Sequence, residues 1–331
     1  YPIVHHKVML LMHKFLEGKK IYGTKKEKEL YQEMNTIDFV DRLLKKRPLV
    51  FMTKLDYYLL RNGIKGEGGF EKVGTEAEYS ALTLKDYISY EEMPLSAMIG
   101  VSSPTYFINR GWRNNRGELA KEGTFEERGI YTGIVGARLE KTGFMEWKHM
   151  VITPEQNTPA NGYGKKAQLE NSNLSLKLWA EFYECGDKEH YFFPTYEEAV
   201  NDANGKYIQI EKNTLLNTEV YKKRIRMSIE PFLLDANERA KNEGKKAYVH
   251  VVGAGLGVWK LSDLQGVLMT DVYSDIIKER DLRHISDINF SWFPKICTTC
   301  GLVKDGEIYQ TEYNRIKIHF SLRNPSEKLI G

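Results

Sequence analysis

Residues 245–280 read KKAYVHVVGAGLGVWKLSDLQGVLMTDVYSDIIKER, the pattern of a strand, a glycine loop and a helix in direct succession. The apolar run from Ala247 to Val252 is rich in β-branched residues and too short for a helix, so it predicts a buried central strand. Gly253, Gly255 and Gly257 follow at alternate positions. Because glycine accepts positive φ and allows close approach to the backbone, these residues predict a loop that wraps an anion.

The helix after the loop has its own start signal, since Ser262 and Gln265 form an S-x-x-Q capping box. The N–H groups of a first helical turn bind phosphate readily, so strand, loop and helix start together predict a diphosphate cradle. A strand-to-helix turn without a ligand remains the alternative, because a glycine motif alone is often a false positive. The loop residues expected to contact the ligand are Gly253, Gly255, Leu256, Gly257, Val258 and Trp259.

Two common nucleotide-binding loops are excluded by their spacing. A P-loop closes on Gly-Lys-Ser/Thr, whereas Gly257 is followed by Val258 and Trp259. A dinucleotide-binding fingerprint has the spacing G-x-G-x-x-G in a first βαβ unit, whereas this loop is G-x-G-x-G and lies late in the chain.

The overall charge argues against a nucleic-acid partner, because 48 basic and 45 acidic residues nearly cancel. A local exception is the run from Asn109 to Arg116, whose arginines and Trp112 could stack on or pair with a nucleotide. An exposed loop is the favoured interpretation of this run, since no net basic field supports nucleic-acid binding.

Neither a membrane span nor a signal peptide is predicted, because no apolar run reaches 18 residues. The three cysteines make no disulfide framework and are typical of a reducing compartment. We therefore expect an intracellular, cytoplasmic protein without a membrane partner. The sequence begins at Tyr1 rather than at a methionine, which leaves open whether a targeting segment precedes it.

The first hundred residues are predicted to be mostly helical. Apolar spacing predicts helices over residues 3–16, 25–34, 36–44 and 56–61, with Gly18 ending the first. From about residue 130 strands and helices alternate, which predicts an α/β three-layer domain and a boundary near residue 125. The predicted later elements are strands at 130–139, 146–153, 288–293 and 316–320 and helices at 174–184 and 220–241.

The helix after the glycine loop carries the candidate catalytic carboxylates. Counted at 100° per residue, Asp271 and Asp275 lie on the same face as an apolar row, and Asp263 stands at the helix start. Carboxylates on a buried face are costly unless they are satisfied, so these either pair with a basic neighbour or face a ligand. In the second case they can serve as general acid and base on a glycosidic bond. The apolar row consists of Leu264, Val267, Leu268, Val272 and Ile276.

Cys297 and Cys300 have the C-x-x-C spacing of half a zinc site, and Cys185 with His190 could supply the other half. A second C-x-x-C pair is missing, so ordinary thiols in a turn are the default interpretation. We expect neither a metal nor a cofactor.

The helix from Met227 to Glu243, the strand and glycine loop after it, and the strand from Ile288 to Phe293 resemble the second half of a macrodomain, which binds ADP-ribose. An earlier loop resembles the one that lies beside the distal ribose in that family. It departs from the ordinary pattern, since neither an Asn-Ala-Ala-Asn run nor a triple glycine is present. Its candidate ligand-binding residues are Gln156, Asn157, Asn161, Gly162 and Tyr163.

A closer resemblance is to the MavL-like, arginine-specific ADP-ribosylhydrolase macrodomains. It covers roughly residues 130 to 330. The segments that carry it are Val135–Arg138, Met145–Glu146, Asn161–Gly164, Gly255–Trp259 and Arg323–Pro325.

This resemblance implies a macrodomain-like three-layer α/β/α sandwich over residues 126–331. The helical spacing described above predicts a mostly helical region over residues 1–125, in which no motif of the family is found. The resemblance further implies removal of ADP-ribose from arginine side chains of modified proteins by acidic residues near the distal ribose. The carboxylates that can be placed near the loop are Asp263, Asp271 and Asp275. A non-catalytic reader of ADP-ribosylated proteins is the alternative, since a reader needs the cradle without the carboxylates.

Overall fold

The computed structural model describes residues 1–48, 50–52, 55–112, 114–170, 173–187 and 189–329. These residues form a mixed α/β fold. Its helices are His6–Tyr22 (α1), Lys25–Tyr31 (α2), Thr36–Lys45 (α3), Glu92–Ala97 (α4), Trp147–Met150 (α5), Lys165–Glu170 (α6), Leu174–Phe182 (α7), Tyr196–Val200 (α8), Thr218–Asn242 (α9) and Leu264–Glu279 (α10), with 3-10 turns at Phe70–Lys72 and Pro159–Asn161.

The strands are short and fall into several small sheets. They are Pro2–Ile3 (β1), Val50–Met52 (β2), Tyr57–Leu59 (β3), Lys65–Glu67 (β4), Gly100–Tyr106 (β5), Arg128–Gly133 (β6), Val151–Ile152 (β7), Tyr207–Glu211 (β8), Thr214–Asn217 (β9), Ala247–Val252 (β10), Ile285–Ser291 (β11), Thr299–Cys300 (β12), Val303–Lys304 (β13), Ile308–Gln310 (β14) and Arg315–Ser321 (β15). The sheet orders are β1-β5-β6, β2-β3-β4, β7-β9-β8, β10-β11-β15-β14 and β12-β13.

The sheet β10-β11-β15-β14 positions the glycine loop. β10, β11 and β15 run parallel, and β14 pairs antiparallel to β15 at the edge. Val249, Val251, Ile288 and Phe290 are buried on one side, where the Tyr273 ring of α10 lies 5.1 Å from the Phe290 ring. The carboxyl ends of the parallel strands share one edge, which is where open α/β sheets bind ligands. The loop after β10 leaves the sheet at this edge.

Contacts cross the predicted boundary near residue 125. β5 and β6 pair antiparallel along their length, from Val101 with Gly133 to Tyr106 with Arg128. One hydrophobic cluster also runs through both parts, from Val8 in α1 to Ile318 in β15. The division into residues 1–125 and 126–331 stays a prediction, and any boundary at residue 125 lies between two paired strands.

Four predicted elements differ from the structure, and the first is the predicted strand at 130–139, which ends at Gly133. The predicted helix at 56–61 is strand β3, which Asp56 enters with a φ of 50°. The predicted strand at 146–153 begins with helix α5 and becomes strand only at β7. Helix α1 continues through Gly18 to Tyr22, since an isolated glycine costs a helix only about 1 kcal/mol.

None of the described helices is long and apolar enough to cross a membrane. Helix α9 illustrates this, because its 25 residues include the buried, charged Arg224 and Glu230.

A fully buried ion pair joins four parts of the chain. Arg224 of α9 donates through Nε to Glu146, and neither side chain is exposed. Its Nη2 donates to the carbonyl oxygens of Ala97 at 3.2 Å, Val135 at 3.1 Å and Gly136 at 3.3 Å. The second Glu146 oxygen accepts from the Arg138 N–H at 2.7 Å. Buried charges persist when they are paired and hydrogen-bonded, so this pair fixes α4, α9 and residues 135–138 relative to one another.

We predict that Arg224→Met lowers the free energy of unfolding by about 3–5 kcal/mol, because it leaves the Glu146 carboxylate buried without its cation. Urea unfolding followed by circular dichroism measures this change. The matched control is Lys7→Met, which breaks the Lys7–Glu184 pair whose side chains are 51% and 57% exposed. That variant should change stability by less than about 1 kcal/mol. Equal losses in the two variants would contradict a special role for the buried pair.

Candidate functional site

The glycine loop packs its backbone directly against residues 136–137. Gly255 has a φ of 78°, and a Cβ on it would lie 3.1 Å from the Gly136 Cα. A Cβ on Gly136 would lie 2.5 Å from the Ala254 carbonyl carbon, which is closer than real Cβ contacts come. Both glycines are therefore needed for close approach of two backbone segments.

The other side of the loop is open. A Cβ on Gly257 would meet no atom within 4 Å, and Val258 is 70% exposed. Within the described part of the chain, the N–H groups of Ala254, Gly255, Gly257 and Val258 donate to no backbone or side-chain acceptor. The peptide between Ala254 and Gly255 lies against Gly136, whereas Gly257 and Val258 present their unengaged N–H groups on an open surface that can receive an anion.

The N–H groups at the start of α10 donate to side chains of the same segment. The buried Gln265 accepts from the N–H of Leu261 at 2.7 Å and of Ser262 at 3.0 Å, and Ser262 Oγ accepts from the Leu264 N–H. The predicted capping interaction by Gln265 is present, although the helix begins at Leu264 with Asp263 as N-cap. These N–H groups are consequently unavailable to a phosphate, and the prediction that the helix start contributes to the cradle is wrong.

Beside the loop lies a buried pair that the sequence analysis did not single out. The Arg138 guanidinium carbon is 4.9 Å from the centre of the Trp259 ring, and Arg138 Nη2 donates to Glu140 at 2.6 Å. The side chains of Arg138 and Glu140 are only 8% and 2% exposed. The signal available in the sequence was the alternation Ala137-Arg138-Leu139-Glu140, which places Arg138 and Glu140 on the same side of an extended chain.

The three α10 aspartates lie on the surface in ion pairs. Asp263 pairs with Lys260 at 2.6 Å, Asp271 with Lys222 at 3.1 Å, and Asp275 with Lys278 at 3.9 Å. Their side chains are 52%, 36% and 49% exposed, respectively. The expectation that Asp271 and Asp275 share a buried stripe is therefore wrong, and the alternative of pairing with a basic neighbour is what the structure contains.

The error has a physical cause in the composition of α10. Asp271 and Asp275 do share a face with Leu264 and Leu268, but that face is the outer one. The helix instead buries Thr270 and Ser274 on its inner face, where both hydroxyls are hydrogen-bonded. The other buried positions of α10 are Gln265, Gly266, Met269, Val272, Tyr273, Ile276 and Ile277.

The predicted ribose-binding loop uses its polar groups to hold itself in place. Asn157 is buried and donates to the Pro194 carbonyl at 3.0 Å, while Gln156 donates to Val151 at 2.8 Å. Asn161 donates to the carbonyls of Glu155 and Gln156, and the Tyr163 hydroxyl donates to Lys148. Gly162 ends the short turn before it with a φ of 89°. The described side-chain bonds of Gln156, Asn157, Asn161 and Tyr163 thus stay within residues 148–196 and do not reach the glycine loop.

The candidate zinc ligands do not assemble among the described residues, which contain no group of three or more His, Cys, Asp or Glu side chains placed to hold a metal. Cys297 and Cys300 are buried free thiols, and Cys185 is a partly buried one. Burial raises the pKa of both Cys185 and Cys297 to about 11. These cysteines are therefore protonated at neutral pH and are poor nucleophiles.

The arginine-rich run from Asn109 to Arg116 lines an open surface cleft of about 860 Å³, and no residue of the glycine loop is among its lining residues. Trp112 within it is 52% exposed. Arg113 lies outside the described residues.

Comparison with known proteins identifies the family. Residues 1–331 match the family described as ADP-ribosylhydrolase MavL-like. The chain belongs to the MavL-like ADP-ribosylhydrolase family. This match also covers residues 1–125, where the sequence analysis found no assignable motif.

Two curated relatives support the assignment to the MavL-like family. The ADP-ribosylarginine hydrolase CG3568 of Drosophila melanogaster is 38% identical over 342 residues, and the ADP-ribosylarginine hydrolase CG2909 of the same organism is 35% identical over 339 residues. Each alignment covers 99% of this chain and 65% of the relative. The chain therefore spans about two thirds of the length of these relatives.

We predict that Gly136→Ala destabilises this MavL-like protein by about 1–3 kcal/mol, because the added methyl group collides with the Ala254 backbone and displaces the glycine loop. Gly257→Ala is the matched control, since its methyl group would meet open space. The control should stay within about 0.5 kcal/mol of the wild type. Thermal unfolding of the three proteins measures the difference, and an unperturbed Gly136→Ala variant would show that the two backbones are not in close contact.

Proposed function

We propose that this protein hydrolyses the N-glycosidic bond that links ADP-ribose to arginine side chains of modified proteins. The observation that carries the proposal is the alignment of 99% of the chain with two relatives named ADP-ribosylarginine hydrolases. The open glycine loop at the carboxyl edge of a parallel sheet supports it independently, because its free N–H groups suit a diphosphate.

The fold proposed for residues 126–331 is a macrodomain-like three-layer α/β/α sandwich. Residues 1–125 precede it and contain the helices α1–α4 and the strands β1–β5, so the prediction of a mostly helical region is wrong there. The parallel order of β10, β11 and β15 supports the sandwich, as does the packing of α9 on β10 and β11. Family membership over the whole chain supports treating both parts as one functional unit.

The diphosphate of ADP-ribose would lie on the open side of the glycine loop. Gly255 and Gly257 would donate their N–H groups, and Val258 and Trp259 would close over the ligand, with Gly253 and Leu256 shaping the turn. The Leu256 N–H already donates to the Gly253 carbonyl at 3.0 Å, which supports that last role. The distal ribose would lie beside the earlier loop, and the resemblance to the family is the support for this placement. The residues expected to contact it are Gln156, Asn157, Asn161, Gly162 and Tyr163.

In this proposal carboxyl groups act as the general acid and the general base. One acid protonates the leaving guanidine nitrogen while a base positions water at the anomeric carbon. Asp263 is the first candidate, because it directly follows the loop and is half exposed. Asp271 and Asp275 lie about 12 and 18 Å further along the helix, at about 1.5 Å per residue. They remain candidates in second place.

The linkage assay tests the function directly. Proteins ADP-ribosylated on arginine, serine or glutamate are each incubated with the protein, and free ADP-ribose is measured. We expect release from the arginine-linked substrate alone. Release from serine or glutamate instead would mean that the protein cleaves a different linkage. If no substrate releases ADP-ribose, the protein is not a hydrolase of these linkages.

A non-catalytic reader of ADP-ribosylated proteins is the second candidate. It is favoured by the surface ion pairs of Asp263, Asp271 and Asp275, since a reader needs the cradle and not inward carboxylates. A reader would bind ADP-ribose in calorimetry and release none in the linkage assay.

We predict that Gly257→Glu abolishes ADP-ribose binding, because it puts a carboxylate where the diphosphate would lie. The variant should fold normally, since a side chain at this position meets open space. The matched control is Gly18→Glu in α1, which also meets no atom within 4 Å. Calorimetric titration with ADP-ribose should show wild-type heats for the control only. Unchanged affinity of a folded Gly257→Glu variant would place the phosphates elsewhere.

We predict that Asp263→Asn lowers kcat by about 10²–10⁴ while the ADP-ribose affinity stays nearly unchanged, as expected for loss of general acid–base assistance. Asp271→Asn and Asp275→Asn are measured in the same series. Asp41→Asn, which removes an exposed helix aspartate paired with Lys45, is the control and should keep full activity. If all three α10 variants hydrolyse normally, these carboxylates do not run the reaction.

A further inference from the structure

We propose that Glu140 and Trp259 form the subsite that recognises the guanidinium group of the arginine side chain. The inference rests on the proposed hydrolase function and names the part of the site that distinguishes an arginine linkage from other linkages.

Glu140 is a buried carboxylate with one unsatisfied oxygen. Its side chain is 2% exposed, and its Oε1 accepts from Arg138 Nη2 at 2.6 Å. Its Oε2 is buried and accepts from no donor among the residues described here. A buried acceptor without a donor is unfavourable, so this oxygen suits a ligand that supplies an N–H group. A guanidinium supplies pairs of such groups in the planar geometry that a carboxylate accepts.

Trp259 provides the second element of a guanidinium site. The Arg138 guanidinium carbon lies 4.9 Å from the centre of its ring while Nη2 donates to Glu140, so the chain's own guanidinium is held by this combination of indole and carboxylate. Arginine side chains stack on aromatic rings while they pair with carboxylates, a combination that lysine does not reproduce. The indole Nε1 is also buried without an acceptor within the described ranges. It can therefore donate to an oxygen of the same ligand.

The position of Trp259 connects this subsite to the proposed diphosphate site. Trp259 lies two residues after Gly257 in the same loop. If the diphosphate lies on the open side of the loop, the rest of the ligand therefore lies close to the indole ring. Trp259 is only partly buried, and its neighbours Val258 and Lys260 are exposed. Displacement of its ring toward solvent can therefore admit a ligand without disturbing the hydrophobic core.

The neighbouring charges leave Glu140 available for a second cation. Lys141 follows it in the chain, but its ammonium group donates to Asp56 at 2.7 Å and to the Tyr90 hydroxyl at 2.7 Å. Asp56 is fully buried, and its Oδ1 is a further acceptor that no described donor contacts. The Lys141 ammonium group is therefore engaged by Asp56 and Tyr90, and the described residues show no bond from it to Glu140.

The first test separates guanidinium recognition from recognition of ADP-ribose. Glu140→Gln should raise KM for arginine-linked ADP-ribose by about 10-fold to 100-fold, the usual effect of one charge-assisted hydrogen bond. Its Kd for free ADP-ribose should stay within about threefold of the wild type. Glu184→Gln, at an exposed glutamate, is the control and should change neither value. Equal weakening of both ligands would mean that Glu140 contacts the ribose, and no change in either would remove it from the site.

The second test needs no turnover, and its main comparison uses the wild type alone. Nα-acetyl-arginine amide and Nα-acetyl-citrulline amide differ in their charged guanidinium and neutral urea groups, and each is titrated into the wild type in the presence of ADP-ribose. We expect binding of the arginine compound alone, and loss of that binding in Trp259→Ala. Equal binding of both compounds, or of neither, would overturn the inference even if Glu140→Gln fails to fold. If the linkage assay shows no release of ADP-ribose while the arginine compound still binds selectively, the protein is a reader.

Discussion

The buried ion pair between Arg224 and Glu146 is the contact on which the rest of the site depends. Five hydrogen bonds from Arg224 reach Glu146, Ser228 and the carbonyls of residues 97, 135 and 136. Since a buried charge is tolerated only when it is satisfied, each of these segments is held at a defined position. Gly136 lies in one of them, and it is the residue against which the glycine loop packs. The long helix α9 therefore sets the position of the loop through an electrostatic contact and not through packing alone.

Two kinds of surface meet at the glycine loop. The loop itself offers N–H groups and little side-chain bulk, which suits an anion. The buried Glu140 carboxylate of the adjoining segment and the Trp259 ring at the end of the loop suit a cation. ADP-ribosylated arginine carries a diphosphate and a guanidinium on opposite sides of one sugar, so the proposed substrate combines both requirements. Family membership and this division of charge support the same function from independent evidence.

The sequence predicted the elements whose formation depends on residues close together in the chain. β10 has the predicted bounds, because a β-branched run between polar ends has few alternatives. Its predicted central position is wrong, since β10 lies at the edge of the sheet β10-β11-β15-β14. Helix α10 was predicted as well, but its buried face was not. Periodicity shows which residues share a face, whereas the choice of buried face depends on Tyr309, which satisfies Ser274 from 35 residues away. Glu140 was missed for a similar reason, since its importance comes from Arg138 and Trp259 and not from a motif.

The central claim is that this chain cleaves the bond between ADP-ribose and arginine at the anomeric carbon. The most direct measurement is mass spectrometry of the products after reaction of an arginine-ADP-ribosylated protein in water enriched in oxygen-18. Hydrolysis predicts free ADP-ribose with one heavy oxygen at the anomeric position and an arginine restored to its unmodified mass. Recovery of intact modified protein, or of ADP-ribose without the heavy oxygen at that carbon, would contradict the account.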